Sequence, residues 1–264
     1  MAQVVAISNQ KGGVAKTTTC ISLGASLAET GRKTLLIDLD PQANLSLSLG
    51  IHDDEAGETI SDVLETALNP RKIKWDDLIQ STSLVGLDVV PSDSRLWTVE
   101  RLISEVNGYE GELKRIAERW QDEYEFILID CSPSLGPLTI MALTAANRVV
   151  IPIQTEFLAA VGLVRLIETI DAVREHTNPS LDFNLLAVMY DQRNGICREV
   201  LQKLHENFSA KLFKTVIGVD TRLKECVATG QPINQYDPKT RATLQYALLA
   251  GELEELSGGI QEAK

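Results

Sequence analysis

Two lysines bracket a glycine-rich turn near the start of the chain, in the run Asn9-Gln10-Lys11-Gly12-Gly13-Val14-Ala15-Lys16-Thr17-Thr18. Glycines let backbone N–H groups curl round an anion, and a helix beginning just behind them adds partial positive charge at its N-terminus. Lys16 is then placed to reach the β- and γ-phosphates of a nucleotide, with the Thr17 hydroxyl on a magnesium ion. One lysine suffices to hold a phosphate, so Lys11 needs a separate task. A loop wrapped tightly by Lys16 leaves Lys11 little room to fold back on the same phosphates. The full spacing G-x-x-x-x-G-K-[ST] is not met, because Gly12 stands four residues before Lys16 and Ala15 directly precedes the lysine.

Three aspartates could complete such a site. Asp38 and Asp40 flank Leu39 at the end of an apolar run, and period-two spacing puts both carboxylates on one face of an extended segment. Asp130 ends a second apolar run, Phe126-Ile127-Leu128-Ile129. A carboxylate there would contact Mg²⁺ through water, since that ion keeps several waters and uses few protein ligands.

The elements that must position these groups alternate along the chain. Short apolar, β-branched runs at 4–8, 33–38, 87–92, 125–130, 148–153, 183–190 and 212–218 read as strands. Several are apolar without alternation, as expected for strands covered on both faces. Between them, helical periods occupy 16–30, 60–68, 110–121, 137–146, 157–177, 196–208 and 240–256. Repeated strand–helix–strand succession predicts an α/β fold, a mostly parallel twisted sheet flanked by helices. No linker or repeat divides the 264 residues, which read as one domain over 1–264; Gly258 and Gly259 are expected to fray the C-terminal tail.

With these pieces in order, the run Lys11–Thr18 resembles the deviant Walker A box of the ParA/Soj/MinD ATPases, usually K-G-G-x-G-K-[ST]. The resemblance implies a P-loop NTPase in which Lys11, Gly12, Gly13, Val14, Ala15, Lys16, Thr17 and Thr18 bind ATP. In that family the first lysine reaches the nucleotide of a second subunit, so the likeness implies an ATP-state homodimer with Lys11 acting in trans. It also implies that Asp40 orients the attacking water, that Asp38 holds a water of the Mg²⁺ shell beside Thr17 and Asp130, and that Ser132-Pro133-Ser134-Leu135 is the second switch. Ala15 departs from the family glycine. Its Cβ costs little if φ is negative and brings strain if φ is positive. The likeness runs on through residues 147–163, 189–195 and 215–223, covering the chain from Val4 to about residue 250.

Such ATPases grip DNA non-specifically with basic residues of the C-terminal third. Here the resemblance points to Arg193 and Arg222, although Val219 and Asp220 stand where the family often has Arg and Asn. A net charge of −12 excludes a protein that coats nucleic acid with its whole surface. A local patch remains open, because residues 193–224 hold seven bases and three acids. The four cysteines form no C-x-x-C pair and read as reduced, mostly buried thiols. The chain opens on a strand without a basic-then-apolar leader, no apolar run reaches the ~20 residues of a membrane span, and the acidic C-terminal end lacks a basic amphipathic face. The expectation is a cytoplasmic, nucleoid-associated partition ATPase, using ATP and Mg²⁺, that hydrolyses slowly until a ParB-like or other cargo adaptor stimulates it. Alternatives are a positioning ATPase for another cargo, a metabolic P-loop enzyme resembling dethiobiotin synthetase, and a non-catalytic scaffold.

Overall fold

The computed structural model describes residues 1–52, 57–156 and 159–261. Among them lies one seven-stranded sheet, built from β1 (Gln3–Ile7), β2 (Thr34–Leu39), β3 (Gln80–Ser81), β4 (Leu87–Val90), β5 (Phe126–Cys131), β6 (Arg148–Gln154) and β7 (Asp182–Val188). Its order is β3-β4-β2-β5-β1-β6-β7. Every pairing is parallel except that of the short edge strand β3 with β4.

The central strands β2 and β5 are buried at every residue, which is why they lack a polar alternation. Their side chains still alternate between two cores. Leu35, Ile37, Leu39, Ile127 and Ile129 face one layer, while Leu36, Phe126 and Leu128 face the other. The second layer is covered by α1 (Lys16–Glu29) and α12 (Arg241–Gln261) through Leu23, Leu27, Tyr246, Leu249 and Leu253. Gly24 lets α1 sit close, since a Cβ there would stand 2.7 Å from Leu36 Cδ2. The first layer is covered by α3 (Ile60–Leu68), α5 (Leu96–Ile103), α6 (Glu112–Ala117), α7 (Pro137–Ala145) and α8 (Ala159–His176). Burial of each such Leu or Ile contributes about 1.5–3 kcal/mol.

The expected α/β architecture is present, with four departures in detail. Residues 212–218 form no strand. They make only isolated bridges beside β7, Leu185 to Leu212 and Tyr190 to Gly218. The cause is Glu252 of α12, whose carboxylate accepts the N–H groups of Lys214 and Thr215, both at 2.8 Å, and pulls that stretch out of the ladder. The expected helix over 110–121 is α6 with a 3-10 turn at each end. α12 runs through Gly258 and Gly259 to Gln261 instead of fraying there. Leu253 and Ser257 remain buried, and that packing holds the helix to the sheet. Finally α5, β3 and the short helices α2 (Asn44–Ser48), α4 (Trp75–Leu78), α10 (Arg222–Glu225) and α11 (Ile233–Tyr236) were not anticipated. The start of the expected helix at Phe157 lies outside the described residues; α9 (Gly195–Phe208) is close to its expected place. All four cysteines are free and buried.

Candidate nucleotide site

In a parallel sheet the chain order reverses beside β1, which pairs with β5 on one side and β6 on the other. Loops at the C-terminal ends of the strands diverge there and leave a crevice. That crevice receives the loop after β1, the Asp38–Asp40 turn after β2 and the end of β5. Register does the alignment: Asp38 pairs with Asp130 across β2 and β5, and Ile7 pairs with Asp130 across β1 and β5.

The loop turns through two left-handed residues, Gly13 at φ 73° and Ala15 at φ 58°. Ala15 is the N-cap of α1 and supplies no side-chain cap. From Gly12 to Thr18, no backbone N–H donates to another protein group among the described residues. A row of free donors at the positive end of a 14-residue helix is an anion site. Lys16 lies within it, 8% exposed, with Nζ 3.3 Å from the Lys11 carbonyl. Burial lowers the Lys16 pKa, and the nearby Asp130 partly restores it. Val14 is buried, and its side chain packs inward.

Lys11 leaves the loop in the opposite direction. Asn9 braces the turn, accepting the Lys11 N–H at 2.9 Å and donating to the Pro152 carbonyl at 2.7 Å. The Lys11 ammonium then meets Glu156 at 2.9 Å and Gln154 at 3.2 Å, on the rim.

Beneath the loop, Thr17 Oγ1 donates to Asp130 Oδ2 at 2.6 Å, and the other oxygen of this buried carboxylate has no protein partner among the described residues. Burial and the neighbouring Asp38 push the Asp130 pKa well up. Asp38 is likewise pushed up to about 6 by burial, against bonds from Ser46 that pull it down. The unpartnered Asp130 oxygen beside the Thr17 hydroxyl, with Asp38 paired to Asp130 on the next strand, makes an oxygen donor set that fits a small divalent cation. Asp38 is further from the crevice: its oxygens accept Ser46 N–H at 2.9 Å, Ser46 O–H at 2.7 Å and Asp40 N–H at 3.2 Å. Asp40 does face the crevice. Gln42 N–H holds its Oδ1 at 2.9 Å and Ser92 O–H holds its carbonyl at 2.9 Å, leaving Oδ2 without a protein partner among the described residues.

A cleft of about 650 Å³ extends from the loop past Asp40 toward residues 217–224. Its far wall includes Met189, Ile217, Gly218 and Leu223, with Tyr246 below. These were missed in the sequence, since nothing in their spacing joins the ends of distant segments. Arg193 and Arg222 lie outside the phosphate loop. Arg193 pairs with Asp191 at 2.8 Å, and Arg222 with Glu225 at 2.9 Å and Asp237 at 3.7 Å.

The AAA-domain family matches residues 2–183 of the chain. The sporulation initiation inhibitor protein Soj of Bacillus subtilis is 40% identical over 254 residues, spanning 96% of this chain and 98% of that protein. The chromosome partitioning protein ParA of Myxococcus xanthus is 41% identical over 95% of this chain and 87% of its own length. This chain belongs to the ParA/Soj family. Among solved structures, cobyrinic acid a,c-diamide synthase from Mycobacterium smegmatis with bound ADP and magnesium superposes with a TM-score of 0.84 at 33% identity, over 98% of this chain and 97% of that one. The cell division ATPase MinD of Pyrococcus furiosus superposes with a TM-score of 0.78 at 25% identity, over 97% of this chain and all of that one. Against the ParA/Soj pattern, the departure that matters at this site is Ala15, because the backbone there is left-handed.

Proposed function

We propose that the chain is a partition ATPase that dimerises on ATP and Mg²⁺, binds nucleoid DNA without regard to base sequence, and is released when a cargo-borne adaptor stimulates hydrolysis. The divergence of the two lysines carries this reading: Lys16 is wrapped by its own loop, whereas Lys11 is directed outward, where a second subunit can be met. In this scheme the N–H groups of residues 12–18 and the Lys16 ammonium hold the phosphates. Thr17 and Asp130 would hold the cation, with Asp38 behind them on a metal-bound water; Mg²⁺ supplies charge neutralisation on the β- and γ-phosphates. Asp40, pinned by Gln42 and Ser92, orients the attacking water through its free oxygen. Arg193 and Arg222 meet DNA phosphates, which must first displace Asp191, Glu225 and Asp237. The same switch could position another cargo, and the gene adjacent to this one identifies which.

A second reading, a metabolic ATP-dependent enzyme, is favoured by the likeness to cobyrinic acid a,c-diamide synthase. It requires turnover with a small acceptor and no DNA binding. Among the described residues no helix is long and apolar enough to cross a membrane.

The deciding experiment is Lys11→Ala, sized by light scattering with ATP and Mg²⁺. ATP binding should persist, because Lys16 still holds the phosphates, while ATP-dependent dimers vanish. Dimers formed normally by the variant would end the trans role of Lys11.

A further inference from the structure

Helix α5 sends one carboxylate toward the site. Glu100, half-buried, leaves the middle of α5 and meets the segment joining β5 to α7. Its carboxylate faces the Leu138 N–H, and Ser134 O–H lies 3.4 Å from Oε1. Helix α7 needs that acceptor. Its N-cap, Gly136, has no side chain, and its first residue, Pro137, has no N–H. Leu138 therefore carries the first backbone donor of the helix, and the Glu100 carboxylate is turned toward it from another element.

Gly136 records the same contact. Its φ of −83° and ψ of −172° suit any residue. Yet a Cβ there would stand 2.5 Å from Glu100 Oε1 and 3.4 Å from Ser134 Oγ. A side chain at 136 would therefore have to push the Glu100 carboxylate, the free end of a long side chain, out of its place.

From Ser134 the contacts lead back to the metal-side carboxylate. Ser134 Oγ lies 3.0 Å from Ser132 Oγ, and the Ser134 carbonyl accepts the Thr139 hydroxyl at 2.7 Å. Ser132 is two residues beyond Asp130, and Pro133, between Ser132 and Ser134, lines the cleft that holds the phosphate loop.

We propose that Glu100 is a positioning residue for ATP hydrolysis: from α5 it pins the segment between Asp130 and α7, and so sets where that segment meets the terminal phosphate. This rests on the ATPase reading above. It acts through geometry and not on substrate, so its loss should be felt in turnover and not in nucleotide affinity.

The test is single-turnover hydrolysis over a range of ATP concentrations, with Mg²⁺, for the native chain, Glu100→Ala, Glu100→Gln, Gly136→Ala and the Glu100→Ala, Gly136→Ala double variant. Glu100→Ala should lower kcat about tenfold or more with KM changed less than about twofold, as misplacement of a reacting geometry does. Glu100→Gln keeps an oxygen acceptor and should recover most of the rate. Gly136→Ala should reproduce the loss while Glu100 is present and add nothing once it is gone. A cap with no part in positioning would instead lower the melting temperature of Glu100→Ala and leave kcat native well below the transition. Native kcat in Glu100→Ala overturns the proposal, as does a loss that Glu100→Gln fails to recover, or one seen mainly in KM. Absence of hydrolysis by the native chain would remove the ATPase reading itself, and that arm is separate from the variants.

Discussion

At the residue scale, Ala15 sets a cost at the centre of the site. A left-handed conformation costs an L-residue about 1–2 kcal/mol, and glycine escapes it while losing about 0.5–1 kcal/mol of chain entropy on folding. Ala15→Gly should therefore raise nucleotide-free stability by up to about 1 kcal/mol, read as a higher midpoint in urea. A lower midpoint in the variant would mean that Ala15 is not strained. In the proposed scheme Asp40 serves the chemistry: Ser92 holds its backbone, while one carboxylate oxygen has no protein partner among the described residues. Asp40→Ala should leave ATP-dependent dimers in place and slow their hydrolysis by about 10²-fold, the scale of a positioned acid–base group. Phosphate release at the native rate would take that role from Asp40.

At the element scale, helix α3 is tied to the loop after β4 by charge. Arg95 bonds Asp62 at 2.6 Å and Asp93 at 2.7 Å, and both carboxylates are nearly buried. Burial raises the pKa of each, but bonds from Arg95 and Thr59 outweigh it, so both sit below the usual carboxylate value. A depressed folded pKa contributes stability above pH ~4 and loses it as pH falls through the folded value. Arg95 is half-exposed, which discounts the tie; Arg95→Ala should cost about 2 kcal/mol at pH 7, and the deficit should shrink toward pH 3. Urea unfolding at the two pH values measures this, and an equal deficit at both would show that packing, not charge, is what Arg95 supplies. None of this was visible in the chain, where Asp62 and Asp93 belong to separate segments. Glu252 acts the same way on residues 212–218: the run reads as a strand until a distant carboxylate takes the donors of Lys214 and Thr215.

On the scale of the whole molecule, charge governs the DNA reading. The chain carries −12 overall, and both chosen arginines already hold carboxylates. Binding should therefore need the dimer, which doubles and aligns the patch, and should fall steeply with salt as phosphate contacts release counterions. The Arg193→Ala, Arg222→Ala double variant should still dimerise with ATP, yet lose most DNA affinity and flatten the salt slope by about two contacts per subunit. A salt titration with ATP tests both. No binding by the native dimer at low salt would turn the reading toward the small-acceptor enzyme.

What the sequence by itself determined is local and periodic. Lys11 to Thr18 follow a strand and open a helix, Asp130 ends an apolar run, and non-alternating strands announce a sheet covered on both faces. Each depends on neighbours a few residues away, so each could be read along the chain. The tertiary structure decided what depends on contacts across long stretches of chain. It made φ positive at Ala15, turned Lys11 to Glu156, placed Asp38 behind Asp130 against Ser46, and brought Glu100 to the N-terminus of α7. Those pairings are set by strand order and helix packing, and the spacing of residue types carries no record of either.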